Sequence, residues 1–298
     1  MTDIEFRIHW LAFTVHAPND EAFTIYNTLF KDTFGELEPM GHGGRSFKEI
    51  YHGLLEFKVY LNPVKGQFFH FEIPGQACDA ISWQYFKALG DLLEGNFPNK
   101  YKFTRLDFAF DNVPFSPEQV EQAIKGGELR SLAKRQSLVI HASPFETRDN
   151  GEIGTYTVDF GSGTSERKIT VYNKRGFTRL EFKVKETRAN AVVRELFRCD
   201  ISLWYSVMVG HLRDFVDFYP AWWAEFIQGN LRAWETVSIP REITQAKLMR
   251  WIEKQVSPAL SVAVDTVPAY LMADIIDKGR KRRTARYDLL LKAYQKGE

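Results

Sequence analysis

Cysteine is nearly absent from this 298-residue chain: there are two, Cys78 and Cys199, far apart and without the paired spacing of a metal finger. That scarcity argues against a disulfide framework or a zinc finger, and a reducing, cytoplasmic setting is expected. Long apolar runs are missing as well. No stretch of about 18 apolar residues occurs, so no membrane span is expected. Met1 to Trp10 carries Asp3, Glu5 and Arg7 in place of the apolar core of a signal peptide. There is no low-complexity tract and no close internal repeat. Gly161-Ser162-Gly163-Thr164-Ser165 lacks the lysine and following helix of a nucleotide-binding loop, so it reads as a hairpin connection and ATP binding is not expected. Neither sign of charge is in excess, since 39 Lys and Arg against 38 Asp and Glu leave a net +1. Overall charge therefore decides nothing about nucleic acid.

Apolar and aromatic residues are plentiful, at 44% and 14%, enough to bury one large core or two modest ones. Charge is uneven along the chain: Asn19 to Glu38 is acidic, and Lys278 to Arg286 holds six cations in nine residues. Such a run suits phosphate contact and equally suits a solvated helix end.

Three short segments place an apolar side opposite a side carrying chemistry. In Arg105 to Asp111, Leu106, Phe108 and Phe110 alternate with Arg105, Asp107 and Asp111. In Lys168 to Lys174, Ile169 and Val171 face inward, and Lys168, Thr170, Tyr172 and Lys174 face outward. In Arg179 to Lys185, Leu180, Phe182 and Val184 oppose Arg179, Glu181, Lys183 and Lys185. A fourth segment sets His70 and Glu72 opposite Phe69, Phe71 and Ile73. Any half-solvated antiparallel sheet alternates in this way. Carboxylates and a tyrosine interleaved with Arg and Lys also suit a metal ion and a phosphodiester.

The order of elements predicts an α+β fold, with a helix-backed antiparallel sheet over residues 1–198 and a helical C-terminal domain over 199–298. A strand is expected over Glu5–Val15, then a helix capped near Asn19 or Asp20 and stopped by Gly35. Further strands fit Phe47–Tyr51 and Leu54–Leu61, and a helix fits Asp79–Leu93. Ser116-Pro117-Glu118-Gln119 is a capping box that starts a helix ending at Gly126-Gly127. Helices are also expected over Ala189–Phe197 and Arg241–Val256. Asp111, followed by Asn112-Val113-Pro114, reads as a strand end entering a turn. Tyr156 sits on the core side with Val158 and Phe160, and Trp222-Trp223 reads as core.

Taken together, the runs FHFEIPGQACDAI (69–81), FTRLDFAFDN (103–112), GTYTVDFGSGTSERKITVYNK (154–174) and FTRLEFKVKETRA (177–189) resemble the replication initiation factor family. The resemblance runs in order from about Phe68 to Phe197. It implies an initiator of rolling-circle replication of small plasmids or phages, one that nicks an origin strand and stays joined to the 5′ phosphate through a tyrosine. The family's tyrosine falls on Tyr172. A phenol is a better leaving group than an alkoxide, so the linkage is stored and can be rejoined. The resemblance also implies a divalent metal held by carboxylates, with Asp107 and Glu181 the best matches, Glu72 a third ligand and His70 a weaker one. Oxygen ligation favours Mg²⁺ or Mn²⁺. Arg105, Lys168, Lys174 and Arg179 are phosphate clamps in this reading, with Lys174 nearest to Tyr172. The short spacer from Lys174 to Arg179 implies a tight hairpin around Arg175-Gly176 that brings Tyr172 and Glu181 into near-opposed positions.

The expected partners are double-stranded origin DNA, single-stranded DNA, a host helicase and a second copy of the chain, since one such tyrosine per chain leaves termination in need of another nucleophile. A conjugative-element relaxase would use the same chemistry. A catalytically idle DNA-binding protein would keep the carboxylates as structural groups.

Overall fold

The computed structural model describes residues 4–147, 153–174, 176–230, 248–249, 252–281 and 291. In chain order the strands are β1 (Glu5–Val15), β2 (Glu38–Pro39), β3 (Phe47–His52), β4 (Lys58–Pro63), β5 (Phe69–Ile73), β6 (Tyr101–Asp111), β7 (Leu129–Ser131), β8 (Leu138–Thr147), β9 (Ile153–Phe160), β10 (Arg167–Lys174), β11 (Phe177–Lys185) and β12 (Val216–Phe218). Ten of them form one sheet in the order β2-β3-β4-β5-β1-β6-β11-β10-β9-β8, while β7 and β12 pair separately. Neighbouring strands of the large sheet are antiparallel. The helices are α1 (Asp20–Leu29), α2 (Lys31–Phe34), α3 (Gly75–Asp79), α4 (Trp83–Asn96), α5 (Pro117–Gly126), α6 (Glu186–Arg198), α7 (Trp204–Phe215), α8 (Ala221–Ile227), α9 (Ser257–Thr266) and α10 (Ala269–Lys281). The mixed architecture is the α+β fold that the sequence predicts.

Alternation sorts the central strands into two faces. Leu106, Phe108 and Phe110 of β6, Ile169 and Val171 of β10, and Leu180, Phe182 and Val184 of β11 are fully buried. Helices cover this face through aromatic contacts: Trp83 meets Phe108, Phe197 meets Phe103, Phe215 stacks on Phe182 and Phe226 meets Phe110. Burial of such rings is the main favourable term in the fold. The other face carries the charged residues.

In β1 the parity changes once. Ile8 lies opposite Phe108 and Trp10 opposite Asp107, so His9 is an extra residue in the ladder. This β-bulge lets Ile8 and Leu11, three apart, both face the core, and it turns His9 and Trp10 toward the charged side.

Local signals hold where their chemistry is complete. The Ser116–Gln119 capping box makes both of its hydrogen bonds, and Gly127 ends α5 in the left-handed region. Gly35 ends α2 with φ of 75°. The helix expected over 79–93 is α4, which starts four residues later at Trp83 after Ser82 in extended backbone and runs to Asn96, while the short α3 precedes it and ends at Asp79. The strand expected from Leu54 begins with a 3₁₀ turn, Leu54–Glu56, where Leu55 and Glu56 adopt positive φ.

The chain divides into two compact units, Met1–Ser238 and Ile239–Glu298. α7 and α8, which follow residue 198, lie in the first of these: Trp204 is fully buried and packs on Trp83 and Phe197. Trp223 is buried, with its indole N–H on Asp217. In the second unit, a π-helical turn (Ile252–Val256) leads into α9, and α10 follows. Part of its basic run is paired one turn back, Lys278 with Asp274 and Arg280 with Asp277. Arg282, Arg283 and Arg286, and most of the helix expected over 241–256, lie outside the described residues. No helix among the described residues is long and apolar enough to cross a membrane.

Candidate active site

The β10–β11 hairpin sets the chemistry. Lys174 pairs with Phe177, and Gly176 takes a φ of 90° that side chains rarely adopt. Arg175 lies outside the described residues. In this register Tyr172 is directly opposite Arg179, and Thr170 is opposite Glu181. Tyr172 and Glu181 are therefore diagonal neighbours, and the phenol hydroxyl donates to Glu181 Oε1 at 2.6 Å.

Glu181 is 5% exposed and also meets Lys183 Nζ at 3.0 Å and His9 Nε2 at 3.5 Å. Burial alone would raise its pKa; Lys183 and the Tyr172 hydroxyl outweigh burial and hold the carboxyl below its ordinary value. The Tyr172 phenol is pushed above its ordinary value by burial and by Glu181, against the pull of Arg179. At neutral pH the pair is a phenol and a carboxylate, a proton donor facing an acceptor. His9 is pushed down by burial despite Glu181, so its ring is uncharged at neutral pH, and its Nδ1 is buried with no hydrogen bond among the described residues. Lys174, on the same face as Tyr172, is lowered by burial and then by Arg179.

Next to this pair lies a buried arginine–carboxylate clamp. Arg179 and Asp111 are each 2% exposed, and the guanidinium Nε and Nη2 bond the two Asp111 oxygens, Nη2 at 2.7 Å. Arg7 Nη2 stands 3.1 Å from the same carboxylate. β6 does end at Asp111, and Asn112 has φ of 60°. The Asp111 side chain is an interior partner as well as a strand end.

The residues expected to bind metal do not meet at one point. Asp107, 2% exposed, is held by Arg105, whose Nε donates at 2.9 Å and whose guanidinium lies 4.0 Å from the Trp10 ring. Glu72 accepts from Tyr60 at 2.8 Å and from Arg45, with His70 Nε2 at 3.8 Å; His70 Nδ1 is bonded to Thr14. β1 separates Glu72 from β6, and Ala12 faces both Glu72 and Arg105. Two strand spacings and a two-residue offset put the Glu72 and Asp107 backbones about 12 Å apart. Among the described residues, no group of three or more His, Cys, Asp or Glu side chains is arranged to hold a metal ion. Of the expected phosphate clamps, Lys168 is bound to Asp159 at 2.6 Å. Tyr156 is engaged elsewhere, its hydroxyl on Glu121.

The structure thus gathers Tyr172, Glu181, Lys174 and Arg179, and adds Asp111, Arg7 and His9. His9 had one sequence signal, the parity slip between Ile8 and Leu11. Arg7 had none.

The chain shares its fold with the rolling circle replication initiator protein from Geobacillus stearothermophilus, at 18% identity and a TM-score of 0.62, covering 77% of this chain and 98% of that one. No curated protein gives a significant sequence match. The sequence pattern of the replication initiation factor family matches residues 101–275, more than half of the chain, and the chain belongs to that family.

Proposed function

We propose that this chain nicks one strand of its replicon's origin and remains joined to the 5′ phosphate through Tyr172. The observation that carries this reading is the 2.6 Å hydrogen bond from the half-buried Tyr172 hydroxyl to the Glu181 carboxylate on the charged face of the sheet. In the forward step the phenol oxygen attacks phosphorus and its proton passes to Glu181. The bond from phosphorus to O3′ breaks, and O3′ leaves as a hydroxyl after taking a proton from solvent. Because a phosphotyrosine ester replaces a phosphodiester, a free 3′ hydroxyl reverses the step without an energy source.

Lys174 and Arg105 meet the phosphate chain in this reading. Lys174 lies two residues beyond Tyr172 on the same side of β10. Arg105 is 30% exposed, so its guanidinium can bridge Asp107 and a DNA phosphate. A Mg²⁺ or Mn²⁺ ion is part of the proposal, but the set Asp107, Glu181, Glu72 and His70 does not fit it as one cage. Glu181, with His9 beside it, is the carboxylate nearest the phenol's work, and an ion there would supply positive charge beside the phosphate. Asp107 and Glu72 would join only by releasing Arg105 and Arg45.

The proposed partners are duplex origin DNA, the single strand it yields, a host helicase and a second copy of the chain in the cytoplasm. The second copy supplies the tyrosine that ends the round.

The test is incubation of the protein with labelled single-stranded oligonucleotides from its own replicon, with Mg²⁺ or Mn²⁺. A denaturant-resistant adduct that disappears in Tyr172→Phe is expected. An adduct on another residue moves the nucleophile, and intact binding with no adduct under either metal favours the idle DNA-binding reading.

A further inference from the structure

Among the described residues, Arg179 has one side-chain nitrogen more than Asp111 uses. Nε and Nη2 are taken by Asp111, but Nη1 is buried and makes no hydrogen bond among the described residues. A buried cationic donor gains most from an acceptor that it can reach, and a neighbouring side chain that develops negative charge would provide one. The residue directly across the strand pair is Tyr172, so the guanidinium and the phenol stand side by side on one face of the hairpin. An arginine stem is flexible, and here its plane is pinned at two points by a carboxylate that is itself backed by Arg7.

We infer that Arg179 Nη1 is the donor reserved for the Tyr172 oxygen as that oxygen gains or loses phosphorus, and that Asp111 is the positioning residue that fixes it there. The inference rests on Tyr172 being the nucleophile. In rejoining, O3′ attacks phosphorus and gives its proton to solvent. The bond from phosphorus to the tyrosine oxygen breaks, and its electron pair stays on that oxygen. Nη1 holds the phenolate until Glu181 returns the proton. A donor set in place beforehand stabilises that charge without reorganisation.

The experiment compares single-turnover adduct formation, rejoining and DNA affinity in the full-length protein. Arg179→Ala is expected to slow both chemical steps by about 10²- to 10³-fold while DNA affinity stays within about threefold. Methylguanidinium is expected to restore rejoining in Arg179→Ala, where Asp111 can still anchor it, and to fail in Asp111→Asn/Arg179→Ala. A purely structural arginine would show no such dependence on Asp111. Should those variants not fold, Arg7→Met tests the same clamp from its exposed side, since Arg7 is 33% exposed; a drop in rejoining rate at unchanged melting temperature is expected. The inference is overturned if Arg179→Ala, or Arg7→Met where only that variant folds, rejoins at the wild-type rate. It is also overturned if affinity falls as far as rate, or if methylguanidinium rescues equally without Asp111. A wild-type protein whose adduct maps away from Tyr172 overturns the nucleophile assignment and this inference with it.

Discussion

Tyr172 donates its hydroxyl hydrogen to Glu181 across a strand pair in which the two residues are diagonal neighbours. The phenol is raised and the carboxyl lowered, so the proton rests on the phenol and the acceptor is ready. Replacing Glu181 with Gln keeps the shape and removes the acceptor. Glu181→Gln is expected to slow adduct formation by about 10²- to 10⁴-fold with DNA binding retained, measured by single-turnover gel assay and fluorescence anisotropy. A wild-type rate would place the proton acceptor elsewhere.

Glu72 makes stability depend on acid. Burial would raise its pKa, but His70, Tyr60 and Arg45 outweigh burial and bring the carboxyl to about 2. A group with a depressed folded pKa contributes stability above its unfolded value of about 4.3, and that contribution is lost as pH falls toward the folded value. Melting temperature is expected to fall from about pH 4.5 to 2, and Glu72→Gln to flatten part of that slope. Equal slopes in both proteins would show that Glu72 is not responsible.

Gly75 gives the His9 ring its room. A Cβ there would lie 2.4 Å from His9 Cε1 and 2.8 Å from Nδ1. Gly75→Ala is expected to cost about 1–3 kcal/mol in urea melts, and His9→Ala in the same chain to recover part of that loss. Additive costs would mean that the clash is relieved in some other way.

The two cysteines differ in reach. Cys78 is 3% exposed, its thiol lies 3.1 Å from the Ile73 carbonyl, and burial pushes its pKa well up. Cys199 is half-buried at the end of α6. A thiol reagent is expected to modify one cysteine in the native protein and the second only on unfolding, and mass spectrometry should place the first at Cys199.

Much of the sheet was legible because period-two alternation is written directly in residues such as Leu106, Phe108 and Phe110. The α5 boundaries were legible because a capping box and a glycine are local devices. The break between α3 and α4 was not, since Ala80-Ile81-Ser82 carries no proline or glycine to announce it. The site was legible as far as one face of one hairpin reaches. Tyr172, Glu181, Lys174 and Arg179 could be grouped by parity alone. Which carboxylate each cation answers depends on strand order, and that order is non-local. β1 enters between β5 and β6, so Glu72 and Asp107 share a face without sharing a site, while Arg7 and His9 arrive beside Asp111 and Glu181 from the other end of the sequence.

The hairpin joins partners 9 residues apart in Tyr172 and Glu181, whereas Arg179 and Asp111 are separated by 68. Short loops close early and distant strands dock late. During folding the phenol, its acceptor and Arg179 come together in one local hairpin, and the Asp111 anchor arrives only when β11 zips onto β6. On the proposed function, competence to cut DNA is thereby tied to completion of the sheet, and a half-assembled chain carries the phenol beside a guanidinium that Asp111 does not yet hold.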